Sequence, residues 1–373
     1  MDYRKKIYLK KNPYGSDDDP DIFLKSIIQN IQHHRKNCSV YNKILEKYNF
    51  DETLLKTEED LYRIPPIPTL FFKKHKLFSM NENKAIIKAK SSGTNGIQSQ
   101  VIVDKKSLYY GIRMMINYLA YNKLISIIPT NYIVLGYKPS RKNQMGATKS
   151  IYGGTKFAPA LHREYAIIEK DNKYIINDDG IKKALIKYAK SGLPVRFLGF
   201  PAYMYFLIKE LKENNIKIKL NKKSKVMLGG GWKQYTNDKI DTEKLYEMIE
   251  ETLGIKRENC IEFYSAVEHP LPYTRCSQGN FHIPRYSRVI IRDVKSLDPV
   301  QSGQIGLLNF LTPLATSMPL TSVITDDLAI ITDNIKCKCG NDKPYFTLLG
   351  RAGVNEIKTC AEGVSEILKG KES

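Results

Sequence analysis

Four short, mostly apolar runs, at residues 131–135, 195–198, 225–228 and 261–264, each with a single polar residue, are separated by Lys- and Glu-bearing stretches that read as helices. Runs of four or five residues are too short to be helices, and a strand covered on both faces reads as a continuous apolar run. Strands alternating with helices pack as a parallel-rich sheet with helices on its faces, so the expected class is α/β.

Either side of that block the pattern changes. In the first 65 residues Phe23, Ile27, Ile28 and Ile31 recur at helical spacing, and Tyr41, Ile44, Leu45 and Tyr48 follow them, so a helical segment caps the fold. Ile64-Pro65-Pro66-Ile67-Pro68 then imposes an extended entry, because proline and its predecessor both disfavour helix. Strands are expected at 85–88 and 100–103 and a long helix at 108–121. Beyond Phe281, runs at 287–291, 305–310 and 328–332 alternate without long helices between them, which marks a β-rich part.

The 373 residues are 42% apolar and 26% charged, which suits a globular protein of roughly two domains. The start, MDYRKKIYLKKNPYG, lacks the apolar stretch of a secretory signal, and no window approaches the roughly 18 apolar residues of a membrane span. The expectation is a cytoplasmic protein with no membrane span. The net charge of +20 comes from lysines scattered from end to end, without a basic block or a recognisable nucleic-acid module, so no nucleic acid is expected. Six cysteines in so long a chain point to metal binding or catalysis rather than a disulfide framework.

Between the two strands expected at 85–88 and 100–103 lies Ser91-Ser92-Gly93-Thr94-Asn95-Gly96, small hydroxyl residues beside glycines, which let backbone N–H groups face an oxyanion. Any surface turn uses the same residue types, and neither the common nucleoside-triphosphatase loop nor the dinucleotide fingerprint is present. What gives the stretch meaning is the ordered set of motifs after it. Ser91 to Gly96 resembles the phosphate loop of the adenylate-forming enzymes, with Gln98 and Ser99 where that pattern has Pro and Lys. Gly229-Gly230-Gly231 resembles the segment lying against adenine. Tyr264-Ser265-Ala266-Val267-Glu268 resembles Tyr-Gly-x-Thr-Glu, implying Tyr264 on adenine and Glu268 toward Mg²⁺. Thr325-Asp326-Asp327-Leu328 stands for Thr-Gly-Asp-Leu, implying Asp327 on the ribose, and Gly350-Arg351 stands for the hinge Gly-Arg.

Within that superfamily the chain most resembles the acyl-protein synthetases of the LuxE family, through Ile64 to Pro68 running into Leu70-Phe71-Phe72-Lys73, the loop without its Lys, and Gly230-Gly231-Trp232-Lys233. The resemblance implies ATP and Mg²⁺ as cofactors and a shortened C-terminal domain, since only 352–373 follow the hinge. It also implies an acyl-carrying cysteine near the C-terminus, a position Cys360 occupies. The nine residues from Arg351 to Cys360 could extend roughly 30 Å.

A second set, Cys276, His282, Cys337 and Cys339, supplies the three thiolates and one imidazole that suit a tetrahedral structural Zn²⁺. Phenylacetate-CoA-ligase-like proteins have a similar arrangement, and a zinc there would staple the β-rich part. His33-His34 reads as a helix surface, and His269 as polar lining near the active centre.

The expected organisation is a helical segment at 1–84, an α/β nucleotide- and acyl-binding region at 85–275, a β-rich region at 276–350 and a tail at 351–373 carrying Cys360. The expected function is ATP-dependent activation of a fatty or other carboxylic acid as its acyl-adenylate and transfer to a cysteine thiol, with an acyl reductase or carrier protein as partner. Thr94, Glu268 and Cys360 are the catalytic candidates, and the stretch 197–206 with the helix at 109–118 is the candidate acyl pocket. A ligase with CoA, a carrier thiol or an amine as acceptor is the rival enzyme reading. A non-catalytic basic module binding nucleic acid or protein is the third.

Overall fold

The structure, a computed structural model, describes residues 1–90, 99–140, 143, 145–333 and 335–352. It divides into two compact units, the first made of 1–122 with 266–373 and the second of 123–265.

The first unit opens with helices α1 (Arg4–Tyr8), α2 (Pro20–Asn37) and α3 (Ser39–Lys47). Asp19 caps α2 by accepting from the Ile22 N–H, with Pro20 at the first helical position, where a missing N–H costs nothing. The proline-rich stretch forms β1 (Ile67–Pro68), which pairs with a later strand, and runs into α4 (Thr69–Lys74). The hairpin β2 (Ile87–Lys90) and β3 (Gln100–Val103) flanks the expected phosphate loop, with β2 starting two residues later than expected. Helix α5 (Lys105–Tyr121) begins earlier than the apolar pattern indicated, because Asp104 accepts from the Lys106 and Ser107 N–H groups and caps it there.

The second unit is the α/β block expected from the alternating runs. Its strands are β4 (Thr130–Tyr137), β5 (Ala160–Lys170), β6 (Lys173–Ile176), β7 (Val195–Gly199), β8 (Lys225–Gly229) and β9 (Cys260–Ala266), in the order β9-β8-β7-β4-β5-β6. All pairings are parallel except β5 with β6. Helices α6 (Gly146–Gly154), α7 (Asp178–Lys190), α8 (Pro201–Glu213) and α9 (Thr242–Leu253) connect them. Ile133, Phe197, Met204, Val226 and Ile249 are inaccessible in its main core. Strands β5 and β6 were absent from the sequence reading, because their charged and aromatic residues break the apolar run that marks a doubly covered strand.

The chain then returns to the first unit with β10 (His269–Thr274), β11 (Phe281–His282), β12 (Arg288–Arg292), β13 (Ile305–Leu311), β14 (Ser322–Thr332) and β15 (Tyr345–Arg351). A sheet of order β11-β15-β14-β13-β12, with β1 added in parallel beside β14, forms the expected β-rich part. Strand β14 starts six residues before the expected run, since Ser322 and Val323 already pair with Leu311 and Phe310 of β13. Arg292 is buried and donates to Asn309 Oδ1 (2.8 Å) and to the carbonyls of Leu297 (2.9 Å), Tyr62 (2.7 Å) and Ile64 (3.1 Å), pinning the proline-rich entry to the sheet. Among the described residues no helix is long and apolar enough to cross a membrane.

Candidate functional site

In the first unit, Glu268 occupies the turn leading into β10 and is only 5% exposed. Its Oε1 accepts a hydrogen bond from the hydroxyl of Ser99, a fully buried residue immediately before β3. Burial pushes the Glu268 carboxyl above the usual carboxylate range, and Asp326 adds to the rise, while the Ser99 hydroxyl and the Lys73 ammonium oppose it. Lys73 comes from α4, so the extended proline entry and the helix after it deliver a cation toward this carboxyl. Sequence reasoning did not assign Ser99 or Lys73 a role. Ser99 carried two signals, its place at the junction of a polar loop and a strand and its position where the phosphate-loop pattern has Lys.

Asp327 lies on β14 directly across from Arg351 on β15. Arg351 reaches both acids, with Nε 3.5 Å from Asp327 Oδ1 and Nη1 3.9 Å from Asp326 Oδ2. The pairing register shifts between Leu328 and Ala329, an irregularity beside Asp327 of the kind that re-aims side chains at sites. The Asp327 N–H donates to Thr325 Oγ1 (3.2 Å), whose hydroxyl donates to the Leu308 carbonyl (3.2 Å), so a neighbouring strand holds the backbone of this acid.

In the second unit, Gly229 ends β8 and Gly230 and Gly231 follow it, while Tyr264 sits half-buried near the end of the adjacent strand β9. Gly229 pairs with Phe263, and a Cβ on Gly229 would stand 2.9 Å from the Phe263 carbonyl oxygen, so this position accepts only glycine without rearrangement. The glycines and Tyr264 therefore share the carboxyl ends of two neighbouring parallel strands, where open α/β sheets bind ligands.

The structure brings Cys276, His282, Cys337 and Cys339 together, with their donor atoms all within 4.8 Å of one another. Cys276 and Cys337 Sγ are 3.9 Å apart, and His282 Nε2 is 3.1 Å from Cys339 Sγ. His282 Nδ1 lies 3.0 Å from the Lys343 carbonyl oxygen. That oxygen can only accept, so in the neutral ring Nδ1 carries the proton and Nε2 presents a lone pair to the thiols. Burial lowers the His282 pKa, favouring the neutral ring. Asn280, which accepts from Thr347 Oγ1 (3.0 Å), directs its amide at Cys337 Sγ (3.5 Å). Matching turns build the two halves, with the Gly279 N–H on the Cys276 carbonyl and the Gly340 N–H on the Cys337 carbonyl, each 3.0 Å. The positive φ of both glycines, 80° and 92°, is the reason for glycine at the third position after each cysteine. Burial and the neighbouring thiols push Cys339 up to about 12, while, against its burial, hydrogen bonds from Cys339, Asn280 and Cys276 hold Cys337 below the ordinary thiol value, so these two thiols ionise together only with a cation to offset their charge. The residues present fit a metal ion.

Other expectations fall differently. Ser91, Ser92, Gly93, Thr94, Asn95, Gly96 and Cys360 lie outside the described residues. His34 is not on a helix surface. It is fully buried, with Nδ1 2.7 Å from Ser79 Oγ and Nε2 3.1 Å from the Ala315 carbonyl, because the face of α2 toward the 313–316 segment is itself polar. His269 is not site lining either. It stacks on Phe310 at 4.4 Å and bonds Tyr273 through Nε2 (2.8 Å) within an aromatic core. In the candidate acyl stretch Phe197 is committed to the core of the second unit, and in the candidate helix Tyr118 is buried and bonded to Tyr14 and Thr274.

Comparison with known proteins gives the context for these groups. The family model for acyl-protein synthetase, LuxE, matches residues 7–369. The long-chain-fatty-acid–luciferin-component ligase of Aliivibrio fischeri is 25% identical, over 90% of this chain and 86% of its own. The enzyme of the same name from Vibrio harveyi is 22% identical, over 91% of this chain and 86% of its own. Among solved structures, 2-hydroxyisobutyryl-CoA ligase in the postadenylation state superposes with a TM-score of 0.66 at 16% identity, covering 91% of this chain and 69% of that one. That likeness establishes the fold, which is of the adenylate-forming class. With a family match running almost from end to end, the chain belongs to the LuxE acyl-protein synthetases, which are ligases.

Proposed function

We propose that this protein activates a long-chain fatty acid with ATP as the acyl-adenylate and transfers the acyl group to a protein thiol, with Cys360 as the first acceptor. The observation that carries the reading is the family match over 7–369, which takes in both acids of the Asp327 and Glu268 sites and the tail with Cys360. The names of the Aliivibrio fischeri and Vibrio harveyi relatives support a long-chain acid.

In the first step a carboxylate oxygen attacks the α-phosphorus of ATP, pyrophosphate departs with the electrons of the broken P–O bond, and a mixed anhydride with AMP remains. The loop Ser91 to Gly96, with the hydroxyls of Ser92 and Thr94 and its N–H groups, holds phosphate. Gly229 to Gly231 and Tyr264 take adenine, Asp327 accepts from the ribose hydroxyls, and Arg351 fixes the nucleotide. Glu268 is fitted to hold Mg²⁺, a hard cation that takes carboxylate oxygens, and the ion would neutralise phosphate charge. In the second step the thiolate of Cys360 attacks the acyl carbon, AMP leaves, and a thioester forms; Lys358 favours the thiolate. Cys276, His282, Cys337 and Cys339 hold a structural Zn²⁺. An acyl reductase or carrier protein then receives the acyl group. The use of ATP and the free state of Cys38, Cys260, Cys276, Cys337 and Cys339 fit a cytoplasmic enzyme.

A second reading, with CoA as the acceptor, is favoured by the fold's likeness to 2-hydroxyisobutyryl-CoA ligase in complex with 2-HIB-AMP and CoA. Intact-protein mass spectrometry after incubation with Mg-ATP and a panel of fatty acids separates the two. An acyl mass on the wild type and not on Cys360→Ser supports self-acylation. Pyrophosphate release without added mass in either protein, together with acyl-CoA formation, replaces it with the CoA reading, and no pyrophosphate release with any acid overturns both.

A further inference from the structure

We propose that Ser99 is a positioning residue for the metal-binding carboxylate: its hydroxyl fixes Glu268 Oε1 and leaves Oε2 for the Mg²⁺ of the nucleotide. The inference rests on the reading of Glu268 as the Mg²⁺ carboxylate and names the residue that prepares it.

Ser99 is fully buried and Glu268 nearly so, and the hydroxyl donates to Oε1 across 169 positions of sequence. A glutamate carboxyl rotates easily about its last bond, so an unrestrained Glu268 would lose freedom on taking a metal. Carboxylates that ligate metals are themselves hydrogen-bonded, and loss of such a partner costs about 10–100-fold in metal affinity. The serine is itself well supported. Gln100, the next residue, pairs with Lys90 across the hairpin and donates from Nε2 to Glu82 Oε1 (2.9 Å). Val101 and Ile102 are buried, and the Ile102 carbonyl accepts from Ser317 Oγ (2.6 Å). A hydroxyl on so firmly held a backbone defines where Oε1 sits. Ser99 also stands where the phosphate-loop pattern has a lysine, whose ammonium would pair with the carboxylate as a charge and compete with a divalent cation for it. A neutral hydroxyl orients the carboxylate without adding a second cation to that of Lys73, which the carboxyl already faces.

The test uses the full chain saturated with α,β-methylene-ATP, which cannot release pyrophosphate, and reads bound Mn²⁺ by electron paramagnetic resonance. Nucleotide affinity is measured in parallel in EDTA. Ser99→Ala should bind Mn²⁺ about tenfold more weakly, Ser99→Thr should stay within about twofold of the wild type, and metal-free nucleotide affinity should be unchanged in both. Glu268→Gln should lose Mn²⁺ binding. Unchanged Mn²⁺ affinity in Ser99→Ala beside its loss in Glu268→Gln overturns the role of Ser99 alone. Unchanged Mn²⁺ affinity in Glu268→Gln overturns the reading of Glu268 and the inference with it. Equal losses of Mn²⁺ and metal-free nucleotide affinity in Ser99→Ala make the serine a packing residue and also overturn the inference.

Discussion

Arg351 Nε lies 3.5 Å from Asp327 Oδ1, the two residues facing each other across β14 and β15. The arginine side chain is 64% exposed, so this pair adds less than about 1 kcal/mol to stability. In the proposed reading its value lies in binding. Asp327→Ala should weaken ATP binding by roughly ten- to a hundredfold, through the loss of charge-assisted bonds to two hydroxyls, while the melting temperature moves by only a degree or two. Calorimetric nucleotide titration beside a thermal melt checks this, and a large drop in melting temperature with intact binding would mark the pair as structural.

Metal content is the second expectation. Purified protein should carry about one zinc per chain, and Cys337→Ser should lose it and melt several degrees lower. Chelation should lower the melting temperature of the wild type and leave that of Cys337→Ser unmoved. Atomic emission on gently purified protein answers first, and substoichiometric metal of every kind would count against the site.

The burial of His34 leads to an expected loss of stability in acid. Burial holds its pKa down to about 3, against an ordinary value of 6.5, with the His33 and Arg4 charges adding to the fall and Asp104 opposing it. Below pH 6.5 the unfolded chain takes up a proton at this ring that the folded chain refuses until about pH 3. Stability from the neutral ring is therefore complete above pH 6.5 and is lost as pH falls toward 3, by up to about 1.4 kcal/mol per unit. His34→Gln should be less stable at pH 7, where it gives up the Ser79 and Ala315 bonds, and should show a shallower decline between pH 6.5 and 4. Urea unfolding at several pH values measures both, and parallel curves would assign the acid sensitivity elsewhere.

Arg292→Lys should destabilise the fold by roughly 2–4 kcal/mol, because one ammonium cannot serve the four acceptors that the guanidinium reaches around Asn309, Leu297, Tyr62 and Ile64. Denaturant titration gives the number. A change under half a kcal/mol would show that water replaces the lost bonds.

Local signals were sufficient for part of this molecule. The runs at 131–135, 195–198, 225–228 and 261–264 fall in strands β4, β7, β8 and β9, since short, mostly apolar runs between helix-patterned stretches mark the strands of an α/β sheet. The proline entry had to be extended, because Pro65, Pro66 and Pro68 and their predecessors exclude helix, and it became β1. The set of three cysteines and one histidine marked a candidate metal site, and its four donors do converge. What the chain alone left undetermined depends on contacts between distant segments. Burial of His34 and His269 came from the partners supplied by residues 313–316 and by Phe310, and a histidine on a helix looks the same in sequence whether its partner is water or a carbonyl. The meeting of Ser99 with Glu268 depends on the placement of β3 beside the turn before β10. A hydrogen bond between residues so far apart leaves no periodicity to read, because it is set by how the elements pack and not by what lies beside each residue in the chain.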